Sequence, residues 1–198
     1  MFTPKQFDSI NGVPGLSERQ MQEHYKLYEG YVKKANEISE LLKKVDYSKA
    51  NATYSDLRAL KLGYSFAVNA IKSHELYFEN LSGDGTVPNG IVGKMLAEQF
   101  GSYENWEQDL KATGLAARGW VWLAYDWQNK TLFNYLGDQH DAFPIWHATP
   151  LVALDVYEHA YFIDYGTTRA DYINAFCKNL NWNAVETLAV KLGMNKAN

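Results

Sequence analysis

The spacing of apolar and polar positions changes period partway along this chain, and the change divides it. Ser17-Glu18-Arg19-Gln20 has the Ser-x-x-Gln form of a capping box. Met21, Leu27, Tyr28, Tyr31, Ala35, Ile38, Leu41 and Leu42 follow at near-helical spacing, which predicts a long first helix. A second helical stretch runs from about Tyr54 to Leu81. The segment Ser82-Gly83-Asp84-Gly85-Thr86-Val87-Pro88-Asn89-Gly90 is dense in turn formers, so a helical hairpin domain over 1–88 is expected to precede a second domain over 89–198.

Beyond that boundary, Ile91 to Phe100 and Tyr103 to Ala116 read as shorter helices broken at Gly101-Ser102, with Ser102 placed to cap the second. Trp120 to Tyr125 and Thr131 to Tyr135 are then rich in aromatic and branched residues around Asp126-Trp127-Gln128-Asn129-Lys130, as a β-hairpin requires. A third strand is expected over Pro150 to Asp155, and helical spacing returns over Thr167 to Asn181 and Trp182 to Leu192. Helices followed by a mixed portion with a short antiparallel sheet define an α+β arrangement. There is no internal repeat and no low-complexity segment.

Composition narrows the function classes. At 198 residues with 46% apolar content, the chain can bury a substantial core. A net charge of −4 with no block of basic residues argues against a nucleic-acid partner, whose phosphates need clustered Lys and Arg. Any attraction for an anionic substrate must therefore be local. The single Cys177 excludes an intrachain disulfide and a Cys-rich metal cluster and is expected in the core, so a bound metal would use N and O ligands. No stretch approaches membrane-spanning length and Met1 to Gln20 lacks an apolar signal core, which gives a cytoplasmic location as the default expectation. Aromatic residues at 15% suggest a site walled by rings, or simply an aromatic-rich core.

The candidate chemistry is concentrated in Leu154-Asp155-Val156-Tyr157-Glu158-His159-Ala160-Tyr161, where a carboxylate and an imidazole stand four residues apart. With eleven Asp and five His in the chain, chance alone gives about one such pair in every four chains of this kind, and a lone His on an apolar face is more often a core residue than a ligand. The remaining ligands would be imidazoles from earlier in the chain. His24 and His74 both lie in strongly helical segments among bulky neighbours, which makes a His3Asp site the candidate.

The surrounding residues sharpen this. Asp155-Val156-Tyr157-Glu158-His159-Ala160-Tyr161, then Asp164-Tyr165, Arg169, Asp171-Tyr172 and Asn179-Leu180-Asn181-Trp182, resemble the C-terminal signature of the manganese and iron superoxide dismutases. The resemblance continues upstream through Gly119-Trp120-Val121-Trp122-Leu123, Phe100-Gly101-Ser102, Asn69 to His74 with Tyr77-Phe78, and Ser17 to His24 with Tyr31-Val32 and Asn36, and so covers nearly the whole chain. It implies a helical hairpin domain, an α/β domain with three strands, and a metal between them held by His24, His74, Asp155 and His159. It implies one manganese or iron ion per subunit, superoxide as substrate, one-electron cycling that yields dioxygen and hydrogen peroxide, and assembly as a homodimer or a tetramer of dimers.

The resemblance also assigns the surroundings. Gln139 occupies the loop position from which manganese members hydrogen-bond the metal-bound solvent, whereas the residue four before the second His, where iron members more often carry that glutamine, is Ala70; manganese is favoured. Tyr31 matches the tyrosine at the mouth of the substrate funnel. The family usually places it eight residues after the first His, with another His midway; here the step is seven, His24 to Tyr31, and Tyr28 stands at the midpoint. At about 100° per residue seven steps return near the starting face, so a regular helix is expected, without a π-bulge. Alignment backwards from Tyr31 would put Glu23 in the ligand slot, whereas the spacing from Ser17 selects His24. Glu158 would bond the outer nitrogen of His159 across a dimer interface. Tyr157 replaces the usual Trp, Trp120, Trp122 and Phe78 would wall the cavity, and Tyr161 belongs to the same surroundings. His140 is read as a loop neighbour of Gln139 and His147 as a surface or interface residue.

Other metal chemistries fit less well. A di-iron carboxylate bundle needs Glu-x-x-His pairs, and none of the five His has Glu three before it. His74-Glu75 lacks the second His of a zinc hydrolase motif. The remaining alternative is a catalytically inactive structural or interaction protein that keeps the dismutase fold, which should have lost ligands.

Overall fold

Ser17 starts the first helix as its sequence predicts. In the computed structural model, which describes residues 1–142 and 144–194, its hydroxyl accepts the Gln20 N–H at 3.1 Å and α1 runs over Glu18–Leu42. This satisfies one of the amide donors that every helix start leaves free. The other half of the expected capping box does not form: Gln20 is buried, and the Ser17 N–H donates to Asp164 Oδ2 at 2.6 Å. The helix is uninterrupted, so the step from His24 to Tyr31 is made by α-helical turns. Its buried stripe is Gln20, Met21, His24, Tyr28, Val32, Ala35 and Ile38, while Leu27 and Leu41 of the apolar pattern face outward.

α2 (Asp56–Glu79) is capped by Ser55, which accepts the Arg58 N–H at 3.2 Å, and it returns antiparallel to α1 so that Ile38 lies against Gly63 and His24 meets His74. Burial is confined to its second half, Ala67 to Phe78, which also packs on the sheet. Residues 81–90 are irregular. α3 (Ile91–Phe100) ends at Gly101, whose φ of 82° is the left-handed conformation that favours glycine at a helix end. Ser102 then caps α4 (Tyr103–Ala116) by accepting the Asn105 N–H.

The strands are β1 (Trp120–Asp126), β2 (Thr131–Gly137) and β3 (Ala148–Asp155), an antiparallel sheet in the order β2-β1-β3. Each strand extends one or two residues past its expected limits. β1 is central and buried from Trp120 to Tyr125, which explains why its sequence is almost continuously apolar. Pro150 sits on β3, where only one edge is paired with a strand and the missing N–H costs nothing to the ladder, next to a bulge at Leu123/Ala124. The register brings the start of β1, the end of β2 and the end of β3 to one rim of the sheet: Trp120 pairs with both Gly137 and Asp155.

The chain closes with α5 (Phe162–Tyr165), which the sequence pattern does not predict, then α6 (Arg169–Lys178) and α7 (Trp182–Lys191). The observed order is mixed α+β, as expected; the last four residues of the expected second domain lie outside the described residues. No helix among the described residues is long and apolar enough to cross a membrane. Cys177 is buried in the core, where burial pushes its thiol up to about 12.

Candidate metal centre

Four side chains from four places in the chain meet at the rim of the sheet. His24 comes from the second turn of α1, His74 from the penultimate turn of α2, Asp155 from the last position of β3, and His159 from a short 3-10 turn over Glu158–Ala160. The four residues spaced Asp155 to His159 are thus not one helical turn; the strand ends at the carboxylate and the chain folds back. One ligand atom from each of the four lies within 4.8 Å of the others.

Asp155 Oδ2 is the hub. It lies 3.0 Å from His24 Nε2, 3.1 Å from His159 Nε2 and 3.6 Å from His74 Nε2. The other oxygen, Oδ1, accepts the Tyr157 N–H at 2.9 Å, and the Asp155 carbonyl accepts the Tyr172 hydroxyl at 2.6 Å, so the carboxylate is held from behind. Burial would push its pKa up, yet the adjoining His159 and His24 outweigh burial and hold it well below the usual carboxylate range. Burial keeps His24 and His74 neutral, His74 down to about 3. For His159 the charge of Asp155 overcomes burial and the pKa is raised.

These residues fit a metal ion, and the fit rests on the structure's own unpaired atoms. His74 Nδ1–H donates to the Ala70 carbonyl at 2.6 Å, which leaves a lone pair on Nε2 aimed into the cluster, and this fully buried nitrogen has no hydrogen-bond partner. A buried acceptor without a donor costs about 1–3 kcal/mol, a cost that an ion at the centre would remove. Three imidazoles and one carboxylate are N and O donors of the kind that bind manganese or iron, and His159 would give up its proton in favour of the ion.

The other candidate residues take definite positions around the cluster. His24, and not Glu23, faces the cluster: Glu23 is exposed and pairs with Lys26 at 2.7 Å. Trp120 stands edge-on to His74 with ring centroids 5.2 Å apart, Trp122 stacks on Trp120, and Phe78 lies 5.2 Å from the His24 ring. Tyr31 packs 5.5 Å from His74. Tyr28 turns its hydroxyl to the Lys5 N–H and to Glu75 Oε1, on the side of the N-terminal segment. Tyr161 is buried and accepts from Arg169 Nε at 3.1 Å, and Glu158 is exposed beside His159.

The loop after β2 differs from expectation. Gln139 is exposed, and its neighbour His140 is the one that turns inward, its ring 5.6 Å from that of His74. His140 Nδ1 accepts the Trp120 indole N–H at 2.9 Å, and its Nε2 lies 3.0 Å from the Tyr31 hydroxyl. An indole nitrogen can only donate, so Nδ1 must be the acceptor and the proton of the neutral ring sits on Nε2, donating to the Tyr31 oxygen. Burial lowers His140 to about 4 and keeps it neutral. The physical reason for the difference is local: in an irregular loop no period tells which of two adjacent polar residues turns inward. Tyr157, which stands where the family usually has Trp, stacks its ring on His159 at 5.2 Å and reaches His140 at 5.1 Å.

Comparison with known proteins agrees with this geometry. Residues 88–188 match the family model described as iron/manganese superoxide dismutases, C-terminal domain. The chain is 38% identical to a superoxide dismutase [Fe] of Aquifex aeolicus, over 92% of its own length and 88% of that protein. It is 37% identical to a superoxide dismutase [Fe] of Cupriavidus metallidurans, covering 88% and 89% of the two chains, and 34% identical to a superoxide dismutase [Mn] 2 of Haloferax volcanii, covering 91% and 89%. With the matched model, these relatives and a convergent His3Asp cluster in hand, the chain belongs to the iron/manganese superoxide dismutase family.

Proposed function

We propose that this protein converts superoxide to dioxygen and hydrogen peroxide, using one manganese or iron ion per subunit held by His24, His74, Asp155 and His159. The observation that carries the reading is the convergence of four ligand atoms from both sides of the Ser82–Gly90 segment on one buried point. When bound, the ion supplies a couple between its +3 and +2 states, which takes an electron from one superoxide and passes it to a second; with two protons the products are dioxygen and hydrogen peroxide. That two-sided arrangement also supports a division into domains at 1–88 and 89–198, joined at the site.

The remaining residues serve protons and access. Trp120 fixes the His140 tautomer, His140 donates to Tyr31, and the Tyr31 O–H is thereby left to donate toward a small anion beside the ligands. Burial first, and then the charge of Asp155, raise the Tyr31 pKa, so it keeps its proton at neutral pH. In this chain His140 therefore takes the part expected of Gln139. The loop origin of that residue, with only Ala70 at the corresponding point of α2, favours manganese. Exposed Glu158 and, four and five residues on, the exposed Phe162 and Ile163 support a homodimer, itself able to pair into a tetramer, in which Glu158 meets His159 of the partner subunit. An inactive structural role has no support in a site with all four ligands in place.

The test is elemental analysis of the purified protein with a superoxide-decay assay after loading with manganese, iron or neither. Activity in the manganese-loaded form and loss of bound metal in His24→Ala are the expected results; a His24→Ala protein with full metal and activity would remove the assignment.

A further inference from the structure

Gln20 does more than helix capping asks of it. It lies one turn before His24 on the same face of α1 and is fully buried. Its Nε2–H donates to the His159 carbonyl at 2.6 Å and its Oε1 accepts the Ile163 N–H at 3.1 Å. One side chain therefore grips both ends of the segment that carries a ligand, across more than a hundred residues of chain. The capping contact it gives up, to the Ser17 N–H, is supplied by Asp164 from that same segment. Two straps thus join the first turn of α1 to residues 159–164, and only one of them touches a ligand residue.

We infer that Gln20 is a positioning residue, which sets His159 at the correct distance from His24. The backbone of His159 is fixed by Gln20 from α1, while its ring is directed at Asp155. Without the Gln20 contact, an ion would have to order the 3-10 turn itself, and the ordering cost would be subtracted from its affinity. Partners that orient metal ligands from outside are worth about 10- to 100-fold in metal retention when removed. A purely structural buried amide would instead weaken the fold and leave the properties of the bound ion alone.

The inference rests on the metal reading of the cluster, and the test separates the two. Iron-loaded holoprotein is compared for wild type, Gln20→Met and Asp164→Ala, reading the rate of iron release to a chelator and the electron paramagnetic resonance signal of the ferric form. Met keeps the length of the side chain and removes both hydrogen bonds; Asp164→Ala cuts the other strap. The expected result is release about 10-fold faster with a changed ferric signal in Gln20→Met, and both readouts close to wild type in Asp164→Ala. Should Gln20→Met fail to fold, Gln20→Glu keeps an acceptor for the Ile163 N–H, sets a carboxylate oxygen against the His159 carbonyl, and is expected to shift the same two readouts. Wild-type release and signal in the Gln20 variants, or equal effects in Asp164→Ala, overturn the inference. Wild-type protein that binds neither iron nor manganese overturns it together with the metal reading.

Discussion

At the scale of single residues, the decisive contrast is between Gln139 and His140. Both are polar, adjacent and placed in a loop, so their order in the sequence favours the one that matches a family position. Only the fold shows that the second turns inward to meet Trp120 and Tyr31. His140→Ala is expected to keep its metal, measured by elemental analysis, and to lose about 10- to 100-fold in superoxide decay, because the Tyr31 oxygen loses its donor and Trp120 its acceptor. Gln139→Ala is expected to behave as wild type in both measurements; the opposite pattern would return the role to Gln139. The ligands were legible for a different reason. The resemblance keeps its spacing from Ser17 and so selects His24, and in the fold His24 is buried while Glu23 lies in solvent, where it pairs with Lys26.

At the scale of elements, the sheet register builds the site. Trp120, Gly137 and Asp155 share one rim because β1 is antiparallel to both neighbours, which delivers a wall, a loop origin and a ligand to the same place. The strands were legible from aromatic and branched residues, and the helices from apolar spacing with caps at Ser17 and Ser102; the cap at Ser55 was not, because it falls inside the stretch expected to be helical. α5, with four residues, was not, since so short a segment offers no period to detect. The irregular stretch after α2 is anchored at Gly83, whose N–H donates to the Asn179 carbonyl at 2.7 Å. A Cβ there would overlap the Leu180 carbonyl, so Gly83→Ala must move backbone and is expected to destabilise by about 1–3 kcal/mol, seen as a lower denaturation midpoint with unchanged slope.

At the scale of the whole molecule, the buried imidazoles tie stability to pH. Burial depresses His24, His74 and His140, the last two to about 3 and about 4, from an ordinary value of 6.5. Below that ordinary value the unfolded chain takes up protons that the folded chain refuses, so stability falls as pH falls, by up to about 1.4 kcal/mol per pH unit for each proton. His159, with its raised pKa, carries its proton in both states in that range and does not offset the loss. Urea unfolding of the metal-free protein is expected to show a clearly lower midpoint at pH 5 than at pH 7; equal midpoints would show that these rings are hydrated or protonated in the folded state. Bound metal competes with protons for the same nitrogens and should be released over the same acid range. If the proposed homodimer forms through Glu158, Glu158→Ala is expected to shift sedimentation toward monomer, and an unchanged profile would remove Glu158 from that proposed interface.

The sequence by itself determined what depends on local spacing and residue type: the helices and strands, and four candidate ligand residues whose nitrogen and oxygen donors suit manganese or iron. The tertiary structure alone decided what depends on which side chains meet across the chain. Gln20 is drawn away from its own helix cap by a carbonyl 139 positions later, and His140 is chosen over Gln139 by the indole of Trp120. Such choices are made by burial, since a polar group removed from water must find its partner wherever the fold places one.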